Sequence, residues 1–209
     1  MSALVVPIVE GHGEIDALPV LLRRFSSECQ TAWYPRINPP IRVKAASFLK
    51  DMIYFTKYVQ LAAAKSLQGN QKGLVLILLD CEDDCPAKLG PRLLQSARSV
   101  RSDAEYLVVL AHREYESWFI AAAESLRGCG GLPQDLVAPS DINAIRGAKE
   151  WLGRRMPQKY DPLNHQVEFT NRMNFDQASR IDSFRRFREK MLLYFGAVSE
   201  GVRFLYTDR

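Results

Sequence analysis

The chain has 209 residues, 47% of them hydrophobic and 25% charged, the balance of a folded globular domain rather than of a disordered or fibrous one. No run approaches the roughly 20 apolar residues of a membrane span, and a glutamate and two glycines interrupt the opening apolar stretch after residue 9, so no signal peptide is expected and the cytoplasm is the expected compartment. The net charge of +4 lies wholly in the C-terminal third, where residues 141–209 carry 13 basic and 9 acidic side chains against 15 of each over 1–140; an excess this modest suits an anionic partner or simply solvated helix faces.

Cys29, Cys81, Cys85 and Cys129 form no paired framework, and free thiols are expected. Cys81 and Cys85 have a C-x3-C spacing, but no second cysteine or histidine pair lies near them to complete a zinc site.

Leu4–Val9 is a short continuous apolar run, the pattern of a strand buried on both faces. Glu10-Gly11-His12-Gly13-Glu14 follows as a turn, with Gly11 and Gly13 expected in conformations that other residues avoid. Leu18, Leu21, Leu22 and Phe25 then recur at helical spacing over Ile15–Phe25, with Pro19 placed within about the first turn, where proline is tolerated. Residues 33–40 hold three prolines and read as a loop before a candidate edge strand over Ile41–Lys44. One long helix is predicted from Ser47 to Leu67, with Met52, Phe55, Val59, Ala62 and Ala63 on one side and Gln68-Gly69-Asn70 as its cap.

Leu74–Leu79 is the clearest strand. A second acidic turn ends it, Asp80-Cys81-Glu82-Asp83-Asp84, and Pro86 opens a passage into a helix reaching about Arg101. Tyr106–Leu110 is a further buried strand, with a short helix predicted over Ser117–Leu126. Strands and helices alternate, which favours a parallel, doubly wound α/β sheet. After the glycines at 128, 130 and 131 the pattern turns helical, over Ile142–Met156 and Asp176–Phe195, and Val202–Tyr206 is a candidate last strand. The expected organisation is an α/β core over 1–127 with a mainly helical extension over 128–209 packed upon it.

Open α/β sheets gather their chemistry at the C-terminal tips of the strands. Carboxylates crowded there repel one another unless a cation neutralises them, and Mg²⁺ or Mn²⁺ takes oxygen ligands of this kind. Glu10, Asp80 and Glu82 are the first candidates for metal ligands, with Asp83 or Asp84 next. Alternation along an extended chain would turn Asp80 and Glu82 to the same side. Glu114 and Glu116 share that spacing after the Tyr106–Leu110 strand, although a helix N-terminus also favours acidic residues. Solvated acidic turns are the structural alternative for each cluster. Two ions held in this way stabilise the attacking and leaving oxygens of a phosphodiester cleavage.

Lys149 and Lys159 are basic residues that could reach a scissile phosphate. Arg185, Arg186 and Arg188 could meet a nucleic-acid backbone, a solvated helix face being the commoner origin of such a run. His12 could donate a proton or neighbour a metal, His112 could equally be a packed side chain, and His165 falls in a polar loop. The chain has no P-loop, G-x-G-x-x-G or G-x-S-x-G pattern, which argues against triphosphate hydrolysis and serine-based acyl transfer.

Val9-Glu10-Gly11-x-x-Glu14 together with Asp80-x-Glu82 resembles the Toprim domain of topoisomerases, primases and OLD-type nucleases. A wider ordered set is similar to the bacterial family called domain of unknown function 4276, itself Toprim-like. It comprises Val9-Glu10-Gly11, Asp80 to Pro86, Arg113 to Phe119, Ala148 to Leu152, Lys159-Tyr160 and Ser183 to Phe187, and spans nearly the whole chain. In Toprim domains the first glutamate is a catalytic acid/base or metal ligand and a D-x-D motif binds Mg²⁺; here the second acid of that motif is Glu82.

The resemblance implies a Toprim-like α/β fold, a mostly parallel sheet flanked by helices with a helical C-terminal extension. It also implies a partner ABC-type ATPase on a separate chain, in phage defence or DNA repair. The combined expectation is a Mg²⁺- or Mn²⁺-dependent nuclease acting on nucleic acid, DNA in the first instance. Glu10, Glu14 and Lys149 would be catalytic. Glu10, Asp80, Glu82, Asp84, Glu114 and Glu116 would surround the metal, and Lys159, Arg185, Arg186 and Arg188 would contact nucleic acid. The rival expectations are a non-catalytic partner-binding subunit and metal-dependent phosphoryl transfer on a small molecule.

Overall fold

The computed structural model describes residues 3–30, 33–68 and 73–200. Its sheet has five strands, β1 (Leu4–Val9), β2 (Arg36–Ile37), β3 (Ile41–Arg42), β4 (Leu74–Asp80) and β5 (Glu105–Ala111). β1 pairs with β4 on one side and with β2 and β3 on the other, and β4 pairs onward with β5, every pairing parallel. The three long strands read as unbroken apolar runs because both of their faces are covered. Val5, Leu76 and Val109 turn to one face, while Val6, Ile77 and Val108 turn to the other.

The β1–β2 connection is α1 (His12–Glu28). It starts three residues before the predicted point, so Pro19 lies in the helix interior, where it removes one backbone hydrogen bond. Residues 33–40 are more than a loop. Arg36 and Asn38 donate their N–H groups to Ala3 and Val5 carbonyls at 2.8 and 2.9 Å, and Val43 donates to Val9 at 2.8 Å. Pro39 and Pro40, which have no N–H to give, fall between β2 and β3 on this edge. The pairing steps by one residue there, from Leu4 with Arg36 to Ile8 with Ile41.

The long helix predicted over Ser47–Leu67 is two helices, α2 (Ala45–Lys50) and α3 (Met52–Ser66). Asp51 separates them by capping α3, its carboxylate accepting the Ile53 and Tyr54 N–H groups at 2.9 and 3.1 Å. Phe55, Val59, Ala62 and Ala63 are buried as expected, but Met52 is exposed. Next come α4 (Pro86–Val100) and, after β5, α5 (Ser117–Ala121), which passes into a 3₁₀ turn over Ala123–Leu126.

The C-terminal segment departs further from expectation. Gly147 takes a left-handed φ of 70°, and the helix predicted over Ile142–Met156 shrinks to α6 (Ala148–Gly153) behind it. The supposed polar loop around His165 is α7 (Pro162–Arg172), capped by Asp161. The helix predicted over Asp176–Phe195 is broken into α8 (Phe175–Ala178) and α9 (Asp182–Ser199). Val202–Tyr206 and Gly69-Asn70 lie outside the described residues.

These late helices complete one face of the sheet together with α1. Phe25 meets Phe175, Phe184 and Phe187 with ring centroids 5.0, 5.7 and 5.3 Å away. Trp118 Nε1 donates to Ser183 Oγ at 3.0 Å, and the Tyr194 hydroxyl donates to the Leu4 carbonyl at 3.0 Å. Burying Phe184, Phe187 and Phe195 alone contributes about 5–9 kcal/mol, as much as the whole net stability of many domains. The sheet therefore depends on α9. Among the described residues no helix is long and apolar enough to cross a membrane.

Candidate active site

β1, β4 and β5 end side by side, and the carboxylates that follow them meet at this edge. Glu10, Glu14, Asp80, Glu82, Glu114 and Glu116 line one cleft of about 680 Å³, together with Lys149. Gly11 and Gly13 are not there for unusual backbone angles. Gly11 is extended at φ −80°, and Gly13 is helical. They are there for space: a Cβ on Gly11 would lie 2.7 Å from Glu14 Oε1, and one on Gly13 would lie 2.0 Å from Gln166 Oε1. Besides Gly147, the left-handed residues of the cleft are Glu82 and Arg113, at φ 44° and 59°. Glu82 has thus left the extended chain, and strand alternation does not set its direction relative to Asp80, although both reach the cleft.

Glu14 is buried and folds back over the start of α1, where Oε2 accepts the Glu10 and Gly11 N–H groups at 3.2 and 3.1 Å. Burial pushes its carboxyl up to about 7 against the opposing pull of the Gly11 N–H, and Glu116 adds to the rise. Asp80 Oδ1 accepts the Tyr115 N–H at 2.8 Å. Burial, then Glu14 and Glu116, hold this carboxyl well above the usual carboxylate range. Glu10 is raised by burial and by Glu82, with Lys149 opposing.

Glu114 caps α6, accepting the Ala148 and Lys149 N–H groups at 3.2 and 3.3 Å. Glu116 is buried; Oε1 accepts the Tyr160 hydroxyl at 3.1 Å, and Oε2 has no hydrogen-bond partner. Burial raises the Glu116 carboxyl too, with Lys149 opposing. Lys149 Nζ stands 3.6 Å from both Glu114 and Glu116. Burial alone would favour its neutral amine, but Glu116, Asp80 and Glu114 outweigh that and shift the ammonium upward. Lys149 is therefore a fixed positive charge and not a base.

The donors suit Mg²⁺ or Mn²⁺ in kind: hard oxygens, in excess over the ammonium that faces them, with one buried lone pair unused on Glu116. They are not preassembled. Among the described residues no group of three Asp, Glu, His or Cys side chains is arranged to hold an ion.

Other predicted residues stand apart from the cleft. Asp84 and Lys159 are exposed and do not line it. Arg185 pairs with Asp182 and Glu189, Arg186 with Asp182, and Arg188 with Glu28 and Asp176. Nucleic acid would have to displace those acids. His12 lines the cleft, whereas His165 lies on α7 with its ring against Tyr160. His112 Nε2 meets the Asn143 carbonyl at 3.3 Å. Cys81 is buried and Cys85 exposed.

Arg113, Arg146, Gln166 and the Tyr160 hydroxyl are given no site role by the sequence, although Arg113 and Tyr160 fall within the stretches that carry the family resemblance. The Asp161-Pro162 pair, an N-cap followed by a first-turn proline, was a usable signal for the helix that carries Gln166. Nothing local marks Arg146.

No curated protein and no solved structure matches this chain. The model of the family described as Domain of unknown function (DUF4276) matches residues 9–192, from the end of β1 into α9, and the chain belongs to that family.

Proposed function

We propose that this protein is a Mg²⁺- or Mn²⁺-dependent phosphodiesterase of the nuclease type, Toprim-like in its acids, acting on nucleic acid in the cytoplasm. The observation that carries this reading is the convergence of nine carboxylates, Glu10, Glu14, Asp80, Glu82, Glu114 and Glu116 among them, on one cleft whose described lining holds three cationic side chains, Lys149, Arg113 and Arg146. Carboxylates that raise one another's proton affinity are poised to exchange protons for a divalent cation.

Glu10, Asp80 and Glu116 would hold the ion, with Glu82 and Glu114 beside them. When bound, the ion would neutralise these acids and polarise a phosphate oxygen. Tyr160 orients Glu116 through Oε1 and leaves Oε2 free. Glu14 fixes Glu10 by gripping its backbone N–H. Lys149, charged throughout the neutral range, offers its ammonium to a non-bridging phosphate oxygen as negative charge builds there. The direct test is incubation of plasmid and single-stranded DNA with Mg²⁺, Mn²⁺ or chelator. Cleavage confined to the metal-containing reactions is expected, and intact substrate in all of them would count against the reading.

One observation favours a second reading. Lys149 already compensates Glu114 and Glu116, and among the described residues no three Asp, Glu, His or Cys side chains stand ready for an ion. A scaffold that binds a partner, such as an ABC-type ATPase on another chain, needs no more than this. It predicts feeble metal affinity and no cleavage.

A further inference from the structure

Arg113 and Arg146 come from different loops and converge on one carboxylate at the mouth of the cleft. Arg113 Nη1 lies 2.6 Å from Asp83 Oδ1, and Arg146 Nη1 lies 3.1 Å from the same oxygen. The Asp83 side chain is 71% exposed. We propose that the two guanidiniums form a phosphate-binding clamp, with Asp83 as a resident anion that substrate phosphate displaces. This rests on the phosphodiester reading of the cleft and adds where a substrate phosphate is gripped.

The backbone around Arg113 is specialised in a way that a surface ion pair does not require. Arg113 and Glu82 both hold left-handed conformations, which β-carbon residues keep only when their surroundings enforce them. Here the enforcement is visible. The Arg113 N–H donates to Cys81 Sγ at 3.2 Å, and the Glu82 N–H donates to the Arg113 carbonyl at 3.1 Å. The two turns are locked together, and Arg113 is fixed at the lip. Its Nε is buried without a hydrogen-bond partner, a donor left unused by Asp83. Arg146 directly precedes Gly147 and α6, so one short segment delivers Arg146 to the lip and Lys149 to the interior.

The exchange is favourable on general grounds. Exposed Arg–Asp pairs contribute little, whereas a phosphate offers more acceptor oxygens to two planar donors that match it. It also answers a difficulty of the cleft, whose carboxylates repel a polyanion. The ligand is a phosphate group, supplied either by an internal backbone diester or by a terminal monoester.

The test is binding of fluorescent oligothymidylates, with and without a 5′-phosphate, with Ca²⁺ in place of Mg²⁺ and inorganic phosphate as competitor. Arg146→Gln and Arg113→Gln should each weaken binding about tenfold, the loss of a charge-assisted hydrogen bond. Asp83→Asn should tighten it by a similar factor. Opposite signs distinguish a clamp from a structural pair, which either change would simply break. Asp84→Asn removes the same charge one residue away and should have little effect.

Preference for the 5′-phosphorylated strand assigns the clamp to a terminal phosphate, and equal affinity assigns it to the backbone. Unchanged or weaker binding in Asp83→Asn, unchanged binding in Arg146→Gln, or equal tightening in Asp84→Asn would overturn the proposal. Binding is read without cleavage, so an inactive protein leaves the clamp standing and a failed clamp leaves the metal-dependent reading standing.

Discussion

Nζ of Lys149 stands 3.6 Å from Oε2 of Glu116, a buried oxygen with no hydrogen bond of its own. The same ammonium is 3.6 Å from Glu114. One positive charge therefore serves acids from the turn after β5 and ties α6 to the sheet edge. Any cation that enters this cleft competes with Lys149 for Glu116.

Lys149→Ala should accordingly destabilise the metal-free protein, because Glu116 is left buried and uncompensated. Breaking a fully buried pair costs about 3–5 kcal/mol. The Lys149 side chain is 41% exposed, so about 1–3 kcal/mol is expected after allowing for solvent screening. Thermal unfolding with and without Mg²⁺ checks the competition: the variant should recover more stability from Mg²⁺ than the wild type does. Equal metal-induced shifts would show that Lys149 and the ion do not share a site.

Glu14 makes stability depend on pH with a defined sign. Its folded carboxyl is pushed from 4.5 up to about 7, so the folded state holds the proton more tightly than the unfolded chain does. The stabilisation is complete below about pH 4.5 and is lost as pH rises through 7, a change of about 3 kcal/mol from this group. Asp80 and Glu116 are raised as well and act in the same direction. Denaturation of the metal-free protein between pH 5 and 8 should show this fall, and Glu14→Gln should make it distinctly shallower. A slope as steep in the variant would remove Glu14 from the account.

Gly13→Ala tests how tightly α1 and α7 are packed. The new Cβ would lie 2.0 Å from Gln166 Oε1 and 2.8 Å from the Pro162 carbonyl oxygen. The glutamine can move, but the backbone carbonyl cannot do so without shifting α7, so about 1–3 kcal/mol of overpacking is expected in chemical denaturation. Gly11→Ala meets only the Glu14 side chain. It should cost less stability than Gly13→Ala while disturbing the Glu14 cap.

The strands were legible because burial on both faces leaves a local signature: β1, β4 and β5 are unbroken apolar runs, and Glu10 and Asp80 fall where those runs stop. The split between α2 and α3 was harder to read, because the apolar spacing continues across Asp51 while its carboxylate turns inward to cap. Burial of Glu14 and Glu116 was not legible at all. It is created by α6 and α7, which fold over the sheet edge from more than 30 residues away in the chain. The pairing of the α9 arginines was hidden for a related reason: Arg188 is engaged by Glu28, 160 residues earlier in sequence.

Calorimetric titration of Mg²⁺ and Mn²⁺ into the wild type and Asp80→Asn, with cleavage of plasmid and single-stranded DNA followed in parallel, tests the central claim most directly. The asparagine oxygen can still accept the Tyr115 N–H, so the fold is retained while the charge is lost. Metal binding by the wild type, its loss in Asp80→Asn, and cleavage lost with it are the predicted result. Undiminished metal binding or cleavage in Asp80→Asn, or a wild type that binds neither ion, would contradict the assignment of this cleft as a metal-dependent active site.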